Sequence, residues 1–141
     1  WCRMPYPGNP DGCPNYGKQP TCPPAAPMVN DFIDLTKRHW IDVYCVNLRE
    51  EAEKRRKQHP DWSEKKLRCS RYWQSTAHAW LRKSFELVRW TNGAWNAVMT
   101  LRPEAMGVNV IATARRYGVP IKAKPGDLIF KISLIGFPRK G

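Results

Sequence analysis

The sequence has no long uninterrupted run of apolar residues. Its apolar stretches span only a few positions, as at Leu134-Ile135, far short of the roughly 20 residues that cross a bilayer. We therefore expect no transmembrane helix and no membrane partner. The chain also shows no apolar leader, which favours the cytoplasm.

Several catalytic and metal-binding patterns are missing too. The sequence contains no Gly-x-Ser-x-Gly motif and no glycine-rich phosphate loop, so a hydrolase has no support. No C-x-x-C pair of a zinc ribbon occurs. His39, His59 and His78 are scattered and form no H-x-x-H pattern, although His39 or His59 could replace a missing thiolate ligand.

Acidic residues are scarce relative to basic ones. Lys and Arg total 24 against 12 Asp and Glu, so the formal net charge is +12 at pH 7. A chain this basic attracts polyanions, and its seven Trp and five Tyr can stack on bases. RNA, DNA or another polyanion is the predicted partner, although basic helix faces are often only solvated surface and the charge could also serve a larger assembly. The predicted phosphate contacts are Arg68, Arg71, Arg82, Lys83, Arg115 and Arg116.

Proline and cysteine divide the chain into two parts. Residues 1–27 contain eight of the 13 prolines and three of the five cysteines. Because proline cannot donate a backbone hydrogen bond, this part cannot build a regular helix or sheet, and something else must order it. We predict a Pro/Cys-rich metal-binding segment over residues 1–27, packed on a globular domain over residues 28–141.

The globular part has the pattern of a small α+β domain with about four strands and two or three helices. A charged helix over 49–58 ends before Pro60, and a longer helix begins at Asp61 or Ser63 and runs to about Arg89. Strands are predicted over 39–48, 95–101, 119–123 and 128–137, and a short helix is predicted from about 108 to 117.

Hydrophobic periodicity predicts which sides of these elements are buried. The predicted inward stripe of the long helix consists of Cys69, Trp73, Ala77, Trp80, Ser84 and Leu87. In the last strand, alternation places Leu128, Phe130, Ile132 and Leu134 on one face. Gly118 stands where the short helix needs a left-handed residue at its end.

Three cysteines of the first segment are the candidate metal ligands. Cys2, Cys13 and Cys22 are separated by ten and then eight residues, and proline directly follows two of them. Cys-Pro steps recur at iron–sulfur ligands. Several thiolate bonds to one centre would also order a segment that has little else to hold it. We predict a [4Fe-4S] cluster on these three cysteines, with Cys69 as the best candidate for the fourth ligand.

Other arrangements stay open. Without Cys69, three thiolates would leave one iron open to a substrate, which suits a redox or sulfur-transfer enzyme. Zinc could replace iron and stabilise the fold of a nucleic-acid-binding module. A disulfide with one free thiol is a further alternative, although five cysteines fit it poorly. Cys45 lies in the middle of an apolar strand and is predicted to be a small buried hydrophobe rather than the fourth ligand.

Two stretches of the chain resemble a known family. They are Cys13-Pro14-Asn15-Tyr16-Gly17-Lys18 with Cys22-Pro23-Pro24, and Arg102-Pro103-Glu104-Ala105-Met106-Gly107-Val108-Asn109-Val110 with Thr113-Ala114 and Gly118. Both are similar to the opening and closing segments of the predicted metal-binding proteins called domain of unknown function 2284. The resemblance implies metal or iron–sulfur binding through Cys13 and Cys22. Family members usually carry a ferredoxin-like cysteine group before the closing segment, whereas residues 91–101 contain no cysteine.

Overall fold

The computed structural model describes residues 2–5, 9–122 and 126–140. It is a small α+β domain, which confirms the predicted fold class. In chain order the elements are α1 (Val29–Phe32), β1 (His39–Asn47), α2 (Leu48–Gln58), α3 (Glu64–Leu67), α4 (Arg71–Thr91), β2 (Val98–Thr100), a 3-10 helix (Pro103–Met106), α5 (Val110–Arg116) and β3 (Leu128–Gly136). The described residues therefore contain three strands, whereas the sequence pattern predicted about four.

The three strands form one antiparallel sheet in the order β1-β3-β2. The last strand of the chain is thus the central one. Ile41 pairs with Leu134, and Met99 pairs with Ile135. Because successive side chains of a strand point to opposite faces, Leu134 and Ile135 are buried on different sides of the sheet.

Helices cover both faces of the sheet. On one face, Trp73 and Ala77 of α4 pack against Val46 of β1. On the other face, Ala114 of α5 lies beside Leu134. The sheet is consequently the middle layer of the domain, with α4 and α5 on opposite sides. Among the described residues, no helix combines the length and the apolar character that crossing a membrane requires.

Polar side chains cap three of the helices. The Asn47 side chain accepts from the backbone N–H groups of Arg49 and Glu50 at the start of α2. Ser63 caps α3, and Asn109 accepts from Ala112 N at 3.0 Å to cap α5. Each cap satisfies backbone donors that have no partner inside the helix, so local sequence determines where these helices begin.

The long helix predicted from Asp61 or Ser63 to about Arg89 is wrong at its start. The chain forms the short α3, breaks over residues 68–70, and resumes as α4. Arg55 of α2 donates to the carbonyl oxygen of Leu67 at 3.1 Å. This side chain occupies an acceptor that a continuous helix would use for its own backbone, and Leu67 is buried beside α2. Cys69 therefore lies in the break and not on a helical stripe.

The predicted buried stripe of α4 is also partly wrong. Trp73, Ala77 and Leu81 are the buried residues of this helix. Trp80 is 45% exposed and Leu87 is 63% exposed. The residues of α4 that face the sheet recur mainly at steps of four, through Trp73, Ala77, Leu81 and Phe85, rather than at the alternating steps of three and four that the prediction used.

Two further strand-based predictions fail. Residues 119–122 form no strand, and residue 123, the last of that predicted strand, lies outside the described residues. Cys45 is exposed rather than buried. It lies near the end of β1, an edge strand, and the buried cluster on that face of the sheet packs against Ile41 but does not include Cys45. The predicted strands at 39–48 and 128–137 are confirmed, the strand at 95–101 is shortened to β2, and Gly118 has the expected positive φ of 80°.

Candidate thiolate site and the adjoining basic cavity

The proline-rich segment is ordered by a series of turns. Gly12 N donates to Asn9 O at 3.1 Å, and Cys22 N donates to Gln19 O at 2.9 Å. A longer link joins the two ends of the first loop, since Cys13 N donates to Cys2 O at 2.8 Å. Asn, Gly and Pro favour such turns and leave few backbone donors to satisfy. The local sequence thus brings Cys2 and Cys13 together.

Gly12 is needed where the chain returns to Cys2. Its φ is +88°, a backbone conformation that side-chain-bearing residues rarely adopt. A Cβ at this position would lie 2.7 Å from the carbonyl oxygen of Cys2. Glycine therefore permits the close approach that places Cys13 next to Cys2.

Cys13 and Cys22 both lie within electrostatic reach of the Cys2 thiol. Burial raises the pKa of the Cys2 thiol, and the neighbouring Cys13, Cys22 and Glu104 raise it further. Cys22 is about nine-tenths buried, whereas Cys2 and Cys13 are half-buried. We call Cys2, Cys13 and Cys22 the thiol cluster. Negative charges accumulated here would repel one another, so a cation is the natural counterpart of three thiolates at this place.

The second motif of the chain lies against the first. Arg102 Nη1 donates to Thr21 Oγ1 at 2.6 Å, and the charge of Glu104 acts on Cys2. Gly107 adopts a φ of +85°, which favours glycine, and the end of the flexible Met28 side chain lies against it. The fold therefore joins two stretches that stand about 80 residues apart in the sequence.

Of the four predicted metal ligands, Cys69 is placed elsewhere. Its backbone N–H donates to Lys66 O at 3.2 Å, within the α3–α4 break. The adjacent Arg68 donates to Asp127 Oδ1 at 2.8 Å, near the start of β3. Besides burial, the charges of Cys13 and Cys22 raise the pKa of Cys2, whereas Cys69 makes no such contribution. All five cysteines are described, and all are free thiols.

The thiol cluster supplies sulfur ligands for a metal, but its side chains do not have the spacing of a metal site. Within residues 2–5, 9–122 and 126–140, no group of three or more His, Cys, Asp or Glu side chains has the spacing of a metal site. The cluster nevertheless supplies three soft sulfur ligands, which suit iron–sulfur clusters and zinc. Binding a metal would have to draw the three sulfur atoms together.

A cavity of about 500 Å³ adjoins this segment. It lies between α4, the end of β2 and the residues just before Met28, and we call it the basic cavity. His78 and Arg82 line it from α4, and Arg102 lines it from the loop after β2. Burial lowers the pKa of His78, and the charges of Lys131, Arg82 and Arg102 lower it further. The imidazole is therefore neutral near pH 7 and surrounded by cationic groups.

Sequence reasoning missed three residues of this region. In the sequence, Glu104 and Arg102 stand out only as parts of the closing motif, and His78 only as one of three scattered histidines. The Nε2 atom of His78 is buried without a hydrogen-bond partner among the described residues. The local sequence pattern does not predict these roles, because each depends on a contact between distant parts of the chain.

The six basic residues predicted to contact phosphate do not form one surface. Arg71, Arg82 and Lys83 are exposed on α4, whereas Arg115 and Arg116 are exposed on α5. These two helices lie on opposite faces of the sheet. The sixth residue, Arg68, lies in the α3–α4 break, is half-buried and forms a salt bridge with Asp127. Only the α4 residues remain as a candidate row of phosphate contacts.

Comparisons of the chain with protein-family models, with curated proteins and with solved structures give no match. The resemblance to the domain of unknown function 2284 proteins stays a prediction from two motifs. A function must therefore be argued from the side chains of the thiol cluster, the basic cavity and α4.

Proposed function

We propose that this is a small cytoplasmic metal-binding protein that carries an iron–sulfur cluster, of the [4Fe-4S] type, on the thiol cluster. The observation that carries the proposal is the hydrogen bond of 2.8 Å from Cys13 N to Cys2 O, which brings two of the three cysteines together in a segment of turns that also holds Cys22. A cationic centre would hold these groups as thiolates and offset the burial and the charge repulsion that raise the pKa of Cys2. Five free thiols suit a reducing compartment.

The position of Cys69 favours a cluster with three cysteine ligands. Its described contacts belong to the α3–α4 break, so the proposed ligand set leaves it out. Three thiolates leave one iron of a [4Fe-4S] cluster without a cysteine. The carboxylate of Glu104 lies within electrostatic reach of Cys2. It could bind this open iron, or a substrate could take its place there. When bound, such a cluster supplies electron transfer or, at an open iron, Lewis-acid activation of a substrate.

The test is anaerobic purification of the full chain, followed by an absorption spectrum and metal and sulfide analysis on the same sample. We expect a brown protein with a broad visible band and about four irons and four sulfides per chain. A colourless protein with one equivalent of zinc would contradict the cluster and leave the alternative of a zinc-stapled module. A protein that takes up neither iron nor zinc would contradict a metal role for all three cysteines.

A second candidate function, binding of single-stranded nucleic acid, rests on the outer side of α4. Trp80, Lys83, Leu87 and Trp90 recur at helical spacing on one side, and Trp90 is 73% exposed. Exposed aromatic rings offer stacking platforms for bases, and a lysine between them can contact phosphate. We call these four residues the α4 outer stripe.

Binding of a fluorescent single-stranded oligonucleotide tests this second function. We expect affinity that falls steeply with salt, because each phosphate contact releases counterions. Replacement of Trp90 with Ala should weaken binding about tenfold, since stacking of one base contributes roughly 1–3 kcal/mol. Tyr117→Ala is the matched control, because Tyr117 is also exposed but follows α5 on the other side of the sheet. Equal losses in the two variants, or binding that does not respond to salt, would contradict the interface.

A further inference from the structure

The basic cavity differs from the thiol cluster in its chemistry. One part of its wall is apolar and includes Phe32, Met99 and Met106. Another part carries the side chains of His78, Arg82 and Arg102, and none of the described residues that line the cavity has a carboxylate. A volume of about 500 Å³ with mostly apolar walls and a few polar groups is typical of small-molecule sites.

The charges of this cavity are not neutralised within the protein. Among the residues that the structure describes, neither Arg82 nor Arg102 takes part in a salt bridge. Arg102 donates to the hydroxyl of Thr21, which fixes its direction without cancelling its charge. Other arginines of the described residues do have a carboxylate partner, as Arg55 and Arg89 do. The cavity therefore presents a field that attracts an anion.

His78 adds a directed polar group to the same wall. Its Nε2 atom is buried and lacks a partner, and Arg82 lies one turn further along α4. Leaving a buried polar atom unpaired is unfavourable, and the cost disappears when a ligand supplies the missing hydrogen bond. A phosphate oxygen could accept from both this histidine and an arginine, because arginine pairs readily with phosphate.

We propose that the basic cavity binds a phosphorylated small molecule with a flat or apolar body, of the class of nucleoside monophosphates. Arg82, Arg102 and His78 would hold the phosphate, and Phe32, Met99 and Met106 would contact the body of the ligand. None of these six residues belongs to the thiol cluster, although Pro20, Thr21, Ala26 and Pro27 of the proline-rich segment form part of the cavity wall.

The test is calorimetric titration of the full chain with three probes: AMP, adenosine and inorganic phosphate. We expect AMP to bind most tightly, since adenosine lacks the charge and inorganic phosphate lacks the apolar body. Arg82→Gln should weaken AMP binding about tenfold, the loss of one charge-assisted pair. Lys65→Gln removes the same charge from the exposed side of α3, outside the cavity, and should leave AMP affinity within about twofold of the unmodified chain.

A second measurement follows the histidine itself. In two-dimensional NMR spectra, AMP should shift the ring signals of His78, whereas those of His59, which stacks on Trp62, should stay in place. Equal weakening by Arg82→Gln and Lys65→Gln would overturn the proposal, because that is the signature of general attraction to polyanions. Adenosine or inorganic phosphate binding as tightly as AMP, or an unshifted His78, would overturn it as well.

Discussion

Replacing Cys22 with Ala is expected to abolish metal binding. Cys22 is the most buried member of the thiol cluster, and its removal leaves two thiols in the segment. Two thiolates cannot hold a [4Fe-4S] cluster. Iron and sulfide per chain should therefore fall from about four each to near zero, and the visible band should disappear with them. Cys45→Ala is the matched control because Cys45 is exposed on β1, and it should keep the full metal content.

Cys69 distinguishes the two possible ligand sets. If three cysteines hold the cluster, Cys69→Ala keeps the iron and sulfide of the unmodified protein. If Cys69 is the fourth ligand, the same variant loses the cluster or degrades it. The position of Cys69 in the α3–α4 break leads us to expect full retention. Loss of iron in Cys69→Ala, or retention of iron in Cys22→Ala, would each contradict the proposed ligand set.

Trypsin gives a second readout that does not depend on colour. Lys18 is exposed in a turn of the proline-rich segment and is followed by Gln19, so the bond after it is cleavable. A bound metal would hold the turns on either side of this bond and slow its cleavage. Cleavage after Lys18 should accelerate in Cys22→Ala and in chelator-treated protein, and it should be unchanged in Cys45→Ala.

Replacing Ile135 with Ala is expected to have the largest effect on stability. Ile135 is fully buried in the central strand, in one cluster with Ala94 and Ala97, where partly buried Phe85 and Val88 also pack. Removing three carbon atoms at such a site leaves a cavity that rigid neighbours cannot fill. The expected loss in the free energy of unfolding is about 2–5 kcal/mol, which corresponds to a fall in Tm of roughly 7–17 °C.

A control on the same strand separates burial from strand propensity. Leu128 begins β3 and is 49% exposed, so Leu128→Ala should cost about 1 kcal/mol or less. Ile135→Val, which removes one methyl group, should cost about 0.5–1.5 kcal/mol and remains measurable if the alanine variant does not fold. Chemical denaturation followed by tryptophan fluorescence compares the three. A loss at Leu128 equal to that at Ile135 would contradict the assignment of the stability effect to the burial of Ile135.

Local chemistry in the sequence determined much of the secondary structure. The alternating apolar residues of β1 and β3 and the Asn47 cap of α2 are short-range signals, and the strands and helix appear where they predict them. Turn-forming residues likewise made the first segment irregular, and its cysteines stood out by number and spacing. These features depend on neighbours within a few positions, which is why the sequence alone contains them.

Tertiary contacts decided the rest. Arg55 of α2 donates to the Leu67 carbonyl where α3 ends, and the break that follows places Cys69 outside the predicted helical stripe. Arg102 meets Thr21, about 80 positions away. No pattern along the chain encodes such pairings, because they arise only when the sheet order β1-β3-β2 and the packing of α4 bring distant side chains together. The cysteines were therefore visible in the sequence, whereas the basic cavity beside them exists only in the fold.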